Sequence, residues 1–143
     1  MTTLKRYPKK LNCHILLVED SPDDQRLIAK VLSGAGAELT LECNGEAAVE
    51  RIVKTIDGNC PFDIVLMDLE MPVLDGLAAT RTLRVLGFDR PIIGVTAHSK
   101  PGLRELWLEA GCSRFMTKPF KPQELIQAVA TTIMESSTAR ING

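Results

Sequence analysis

The chain has no excess of charge of either sign. Lys and Arg total 17 against 18 for Asp and Glu, a formal net charge of -1. No basic field exists to gather phosphates, which argues against a dedicated nucleic-acid binder. Metal and disulfide patterns are missing too. Cys13, Cys43, Cys60 and Cys112 stand far apart, with neither C-x-x-C pairs nor histidines at ligand spacing, and read as reduced core or strand thiols. No apolar run reaches membrane-spanning length and no signal peptide is evident, so the cytoplasm is the expected compartment. No internal repeat or low-complexity linker divides the sequence. What remains is 143 residues, 45% hydrophobic, enough for one domain with a core of its own.

The organising stretch is FDIVLMDLEMPVLDG, from Phe62 to Gly76. Phe62 to Met67 predicts a buried strand, and Asp68 stands at its carboxyl end. Pro72 and Asp75-Gly76 mark a loop before a helix over Leu77–Leu86. Upstream, Ile15–Val18 is a first strand ending in Glu19-Asp20. Ser21-Pro22 then supplies an N-cap hydroxyl and a proline at the first helical position, with helical spacing from Leu27 to Ala35 and Gly34 and Gly36 ending the element. Glu38–Cys43 alternates, with Leu39, Leu41 and Cys43 on one face. A second helix is expected over Glu46–Ile56, with Ala47, Ala48, Ile52, Val53 and Ile56 available to pack. Pro91–Val95 is the fourth strand, with Thr96 at its end, and Leu103–Ala110 the fourth helix. Arg114–Thr117 is a short fifth strand before Lys118-Pro119, and Glu124–Met134 the last helix. Strands alternating with helices imply an α/β fold, a parallel sheet covered on both faces. Residues 1–12 read as a flexible basic tail, 13–134 as the domain and 135–143 as a flexible polar tail.

In such a sheet the carboxyl strand ends share one crevice. There they gather Glu19, Asp20, Asp68, Thr96 and Lys118. Three crowded carboxylates repel one another unless a cation joins them, and a hard divalent ion such as Mg²⁺ suits an all-oxygen set. A metal-held carboxylate beside an ammonium and a hydroxyl is equipped to accept a phosphoryl group. Taken singly these residues are bland. Asp68 alone would be a loop cap, and Glu19-Asp20 alone would favour a helix N-terminus.

The motifs ILLVEDSPDDQ, VLMDLEMPVLDG, VTAHS and FMTKPF occur in this order at these strand ends, and together they resemble the receiver domain of two-component response regulators. The resemblance covers about Cys13 to Met134. It implies a doubly wound, flavodoxin-like sheet of order 2-1-3-4-5 with five helices. It further implies Asp68 as the phosphoacceptor, with Mg²⁺ or Mn²⁺ held by Glu19, Asp20, Asp68 and the backbone carbonyl of Glu70. Lys118 would pair with Asp68 and then with the phosphate, through a cis Lys118-Pro119 bond. Thr96 would swing onto a phosphoryl oxygen beside the small Ala97, and Phe115 would act as the aromatic switch. Glu70 and His98 would tune dephosphorylation.

The implied protein is a regulatory phosphoacceptor rather than a turnover enzyme. A sensor histidine kinase or histidine phosphotransfer protein would supply the phosphoryl group. A protein target would read the face of helix 4, strand 5 and helix 5, with no DNA binding and no membrane insertion by this chain. Glu19 replaces the aspartate common in the family, and Phe115 lacks a tyrosine's hydroxyl. ATRTLR after the acceptor loop is similar to receivers of hybrid histidine kinases, though stand-alone regulators share it. In the fourth helix, Leu103, Leu106, Trp107 and Ala110 form one stripe that omits Leu108, whereas the resemblance turns Leu108 inward. Two other classes fit in part. A pseudo-receiver would dock without phosphorylation, and a dehalogenase-like phosphohydrolase would need aspartate where Glu70 stands.

Overall fold

The computed structural model describes residues 10–71, 75–97 and 101–142. Pro72 and His98, and nearly all of the basic tail, lie outside the described residues. Five parallel strands alternate with five helices: β1 (His14–Val18), α1 (Pro22–Gly34), β2 (Glu38–Glu42), α2 (Gly45–Val53), β3 (Ile64–Asp68), α3 (Gly76–Val85), β4 (Ile92–Thr96), α4 (Leu103–Ala110), β5 (Arg114–Thr117) and α5 (Pro122–Asn142). The sheet order is β2-β1-β3-β4-β5, the doubly wound flavodoxin-like topology.

Strand alternation divides the core between the two faces. Ile15 and Leu17 of β1, Ile64 and Leu66 of β3, and Ile93 and Val95 of β4 pack with Ile28 and Leu32 of α1 and Leu125 and Val129 of α5. Leu16 and Val18, Val65 and Met67, and Ile92 face the other way, onto Ala48 and Ile52 of α2, Ala79 and Leu83 of α3 and Trp107 of α4. Near-continuous apolar strands are what burial on both faces requires. Each fully buried Leu or Ile contributes about 1.5–3 kcal/mol. The cysteines are all free thiols, Cys13 and Cys112 being buried.

Register sets the site. Val18 pairs with Met67, which brings the next residues, Glu19 and Asp68, level with each other. Asp68 pairs with Val95, and Thr96 with Thr117, so Thr96 and Lys118 follow one step beyond. Gly76 then lets α3 start against the acceptor strand. A Cβ there would lie 2.1 Å from the Asp68 carbonyl oxygen and 2.7 Å from Leu69 Cα. Asp75 caps α3, its carboxylate accepting from the Ala78 N–H at 2.8 Å.

Four elements depart from expectation. Edge strand β2 buries its apolar side only partly, and Leu41 is exposed. α2 ends at Val53, which faces solvent, while Ile52 is fully buried. α5 continues to Asn142 instead of ending at Met134, because the residues from Thr131 to Asn142 contain no glycine or proline to stop it. Arg114 of β5 holds that extension, donating to Thr132 Oγ1 at 3.0 Å and to Glu135 Oε1 at 2.9 Å. In α4, Trp107 and Ala110 are buried, while Leu106 and Leu108 are each nearly half exposed. Leu108 therefore does not turn inward: on an eight-residue helix the 103, 107, 110 spacing uses the one face that meets the sheet.

At the opposite, amino end of β4 and β5, Arg84 closes the α3–α4 layer. Its guanidinium donates to the carbonyls of Gly111 (3.0 Å), Phe88 (2.8 Å) and Arg90 (2.7 Å).

Candidate functional site

Four strand ends, of β1, β3, β4 and β5, deliver the side chains named from sequence. Glu19 follows β1 and is 2% exposed, Asp68 closes β3 at 5%, and Asp20 is open to solvent. Carboxylate oxygens of Glu19, Asp20 and Asp68 lie within 4.8 Å of one another. Burial pushes the Asp68 carboxyl up, to about 8. The Glu70 N–H, donating to Asp68 Oδ1 at 3.0 Å, opposes that rise. A hydrogen bond and charge repulsion from Glu19, then a hydrogen bond with Asp20, reinforce it. The arrangement is an all-oxygen donor set with one ligand open to water and more negative charge than its surroundings neutralise. That is the chemistry a hard divalent cation fits.

Lys118 enters from the end of β5, where its N–H donates to the Thr96 carbonyl at 2.7 Å and the Lys118-Pro119 bond is cis. The expected Lys118–Asp68 pair is replaced by another. The ammonium donates to Glu19 Oε1 and to Asp24 Oδ2, each at 2.9 Å. Burial alone would depress this ammonium, but Glu19 and Asp24, with the charge of Asp68 behind them, hold it up at about 12. The ammonium is thus held toward the end of β1 and the first turn of α1 by two charge-assisted hydrogen bonds.

Thr96 is buried at the end of β4, and its hydroxyl donates to Glu70 Oε1 at 2.9 Å. The same oxygen accepts the Ala97 N–H at 2.9 Å, so one carboxylate spans the acceptor loop and the end of β4. Beside it a cleft of about 190 Å³ runs between Leu69, Glu70, Thr96, Leu103 and Trp107. Phe115 is half buried in β5. Its ring meets the Trp107 indole edge-to-face at 4.7 Å, and the Arg104 guanidinium lies 5.6 Å from its centroid on α4.

Sequence reasoning missed Asp24, Gln25 and the closeness of Gly76. Gln25 Nε2 donates to the carbonyls of Glu19 (3.2 Å) and Glu42 (3.3 Å), fixing the loop after β1. A signal for Asp24 was present. It sits three residues after the N-cap Ser21, on the first turn of the helix that follows the acidic pair.

The sequence profile of the response regulator receiver domain family matches residues 15–130. Hybrid signal transduction histidine kinase I of Dictyostelium discoideum is 35% identical over 123 residues, covering 83% of this chain and 7% of that protein. Histidine kinase BarA of Shigella flexneri is 36% identical over 81% of this chain and 12% of its own length. This chain therefore spans only a small part of these kinases. Two-component response regulator ORR41 of Oryza sativa subsp. japonica is 37% identical, over 78% of this chain and 87% of that protein. Among solved structures, the receiver domain of a Pseudomonas aeruginosa sensor histidine kinase superposes with a TM-score of 0.76 at 39% identity. It covers 85% of this chain and 98% of that one, and has a magnesium ion coordinated in its active-site cleft. A Francisella response regulator receiver superposes with a TM-score of 0.78 at 26% identity, over 87% of this chain and 99% of its own. With the acidic strand-end cluster, Lys118 and the 2-1-3-4-5 sheet in place, the chain belongs to the response regulator receiver domain family, a component of two-component and phosphorelay signalling.

Proposed function

We propose that this domain accepts a phosphoryl group on Asp68 from a phosphohistidine of a sensor kinase or histidine phosphotransfer protein. The single observation that carries the reading is Asp68 itself: a buried strand-end carboxylate whose neighbours Glu19 and Asp20 leave it in need of a cation. Glu19, Asp20, Asp68 and the carbonyl of Glu70 would hold Mg²⁺ (or Mn²⁺), which supplies charge neutralisation at the phosphoryl oxygens. A carboxylate oxygen of Asp68 forms the new O–P bond as the histidine N–P bond breaks, and the imidazole leaves with that electron pair. The Glu70 N–H fixes the carboxylate plane. Lys118 supplies a nearby positive charge.

The readout would begin at Thr96. Its hydroxyl leaves Glu70 for a phosphoryl oxygen, giving a contact that exists only in the phosphorylated state. Release of Glu70 loosens the acceptor loop from β4, and Phe115 moves against Trp107 and Arg104 on α4. The face formed by α4, β5 and α5, with exposed Leu106 and Leu108, is the surface a protein target would read. The domain is thus a regulatory switch rather than a turnover enzyme, and its four free thiols suit a reducing cytoplasm.

The test is intact mass after incubation with acetyl phosphate and Mg²⁺. Wild-type protein should gain about 80 mass units, one phosphoryl on an aspartyl nucleophile, and lose the gain with chelator or Asp68→Asn. No gain from this donor or from phosphorylated histidine proteins would leave a docking module of the same fold.

A further inference from the structure

Asp24 has no part in the acidic triad, yet it takes one of the two hydrogen bonds made by the Lys118 ammonium (2.9 Å to Oδ2). Its place on α1 makes this unusual. Asp24 is the third residue after N-cap Ser21, and its own N–H is bonded to Ser21 Oγ at 3.3 Å. A carboxylate there can fold back onto the N-cap N–H and close a reciprocal box. Here the Ser21 N–H goes to Glu19 Oε2 at 3.2 Å. Asp24 is left to reach across to Lys118, ninety-four positions away in sequence.

We propose that Asp24 is a positioning residue that parks Lys118 and so sets how readily the ammonium is surrendered to a phosphoryl group. The inference rests on the reading of Asp68 as phosphoacceptor. An ammonium has three donors, and Glu19 and Asp24 occupy two of them. A phosphoryl group on Asp68 brings three acceptor oxygens and roughly two negative charges, and competes for the same ammonium. Glu19 can give up its share when a divalent ion engages its carboxylate. Asp24 stands outside the triad and keeps its claim with the metal bound. Its negative charge also opposes the phosphoryl dianion. Both effects favour the unphosphorylated state, as Glu70 does for Thr96 on the other side.

The test uses beryllofluoride, a phosphoryl mimic, titrated at saturating Mg²⁺ by calorimetry. Asp24→Asn keeps size and cap but removes the charge, and should tighten beryllofluoride binding about fivefold, the scale of a partly exposed ion pair. Asp24→Glu restores the carboxylate and should return toward wild type, which a merely structural role for the side chain would not do. In a Lys118→Ala background, Asp24→Asn should lose most of its effect and keep only the part due to direct charge repulsion, since the cycle isolates the pair. Unchanged or weaker binding in Asp24→Asn, or the same gain without Lys118, would overturn the proposal alone. A wild-type protein that binds no beryllofluoride with Mg²⁺ would overturn the phosphoacceptor reading and this proposal together.

Discussion

The two ends of the parallel sheet treat their acids differently. At the amino end, Asp63 accepts the His14 N–H at 2.8 Å, faces Arg90 at 3.7 Å and keeps its side chain partly in water. Arg84 nearby is matched by three carbonyls. At the carboxyl end, Asp68 is buried against two more carboxylates, and the ammonium within reach is spent on Glu19 and Asp24. One end settles its charges internally. The other gathers, among the described residues, three carboxylates beside a single ammonium. Structural economy and chemical readiness are thus separated by the length of a five-residue strand.

The largest effect should come from Gly76→Ala. Its Cβ would meet backbone of Asp68 and Leu69, which cannot swing aside as a side chain can. A loss of about 3 kcal/mol is expected in urea denaturation, together with weakened Mg²⁺ binding because the acceptor strand end is displaced. Arg84→Ala should cost about 2 kcal/mol by leaving carbonyls of Gly111, Phe88 and Arg90 without their donor. Unlike Gly76→Ala, it should leave Mg²⁺ affinity nearly unchanged, because it breaks the other end.

Neutralising one aspartate at each end should give opposite signs. The folded pKa of Asp68 is raised from 3.8 to about 8. Its contribution is therefore fully present below the unfolded value and is lost as pH rises through the folded one. Metal-free wild type should lose stability between about pH 4 and pH 8 from this group. Asp68→Asn should remove that slope and gain on the order of 2 kcal/mol at pH 8, read by urea melts at pH 5 and 8 in chelator. Mg²⁺ should then stabilise wild type more at pH 8 than at pH 6, since the bound carboxylate must be ionised. Asp63→Asn, the smallest change, should cost about 0.5–1 kcal/mol by weakening its contacts with His14 and Arg90. A gain there, or a loss at Asp68, would erase the contrast.

Much of the fold was legible because strand and helix periods differ plainly in this chain. Four-residue apolar runs such as Ile15–Val18 and hydroxyl–proline helix starts such as Ser21-Pro22 mark elements and their order. The strand-end residues were legible for the same reason: parallel topology brings Glu19, Asp68, Thr96 and Lys118 together whatever their spacing. Two kinds of feature escaped. Where α2 and α5 stop depends on termination signals, and the lack of one after Met134 is easily overlooked. Partner choice among like groups depends on protonation and geometry. Lys118 pairs with Glu19 and Asp24, each at 2.9 Å, because the first turn of α1 carries the Asp24 carboxylate to the ammonium. No pattern of residue types encodes that choice.

Whether Asp68 carries the phosphoryl group can be read directly. Borohydride reduces an acyl phosphate to an alcohol at the residue that bore it, so reduction of acetyl-phosphate-treated protein followed by peptide mapping locates the group. The reduced side chain is expected at position 68 alone, and only with Mg²⁺ present. A reduced residue anywhere else, or a stable phosphoryl group on a hydroxyl or imidazole, would contradict it.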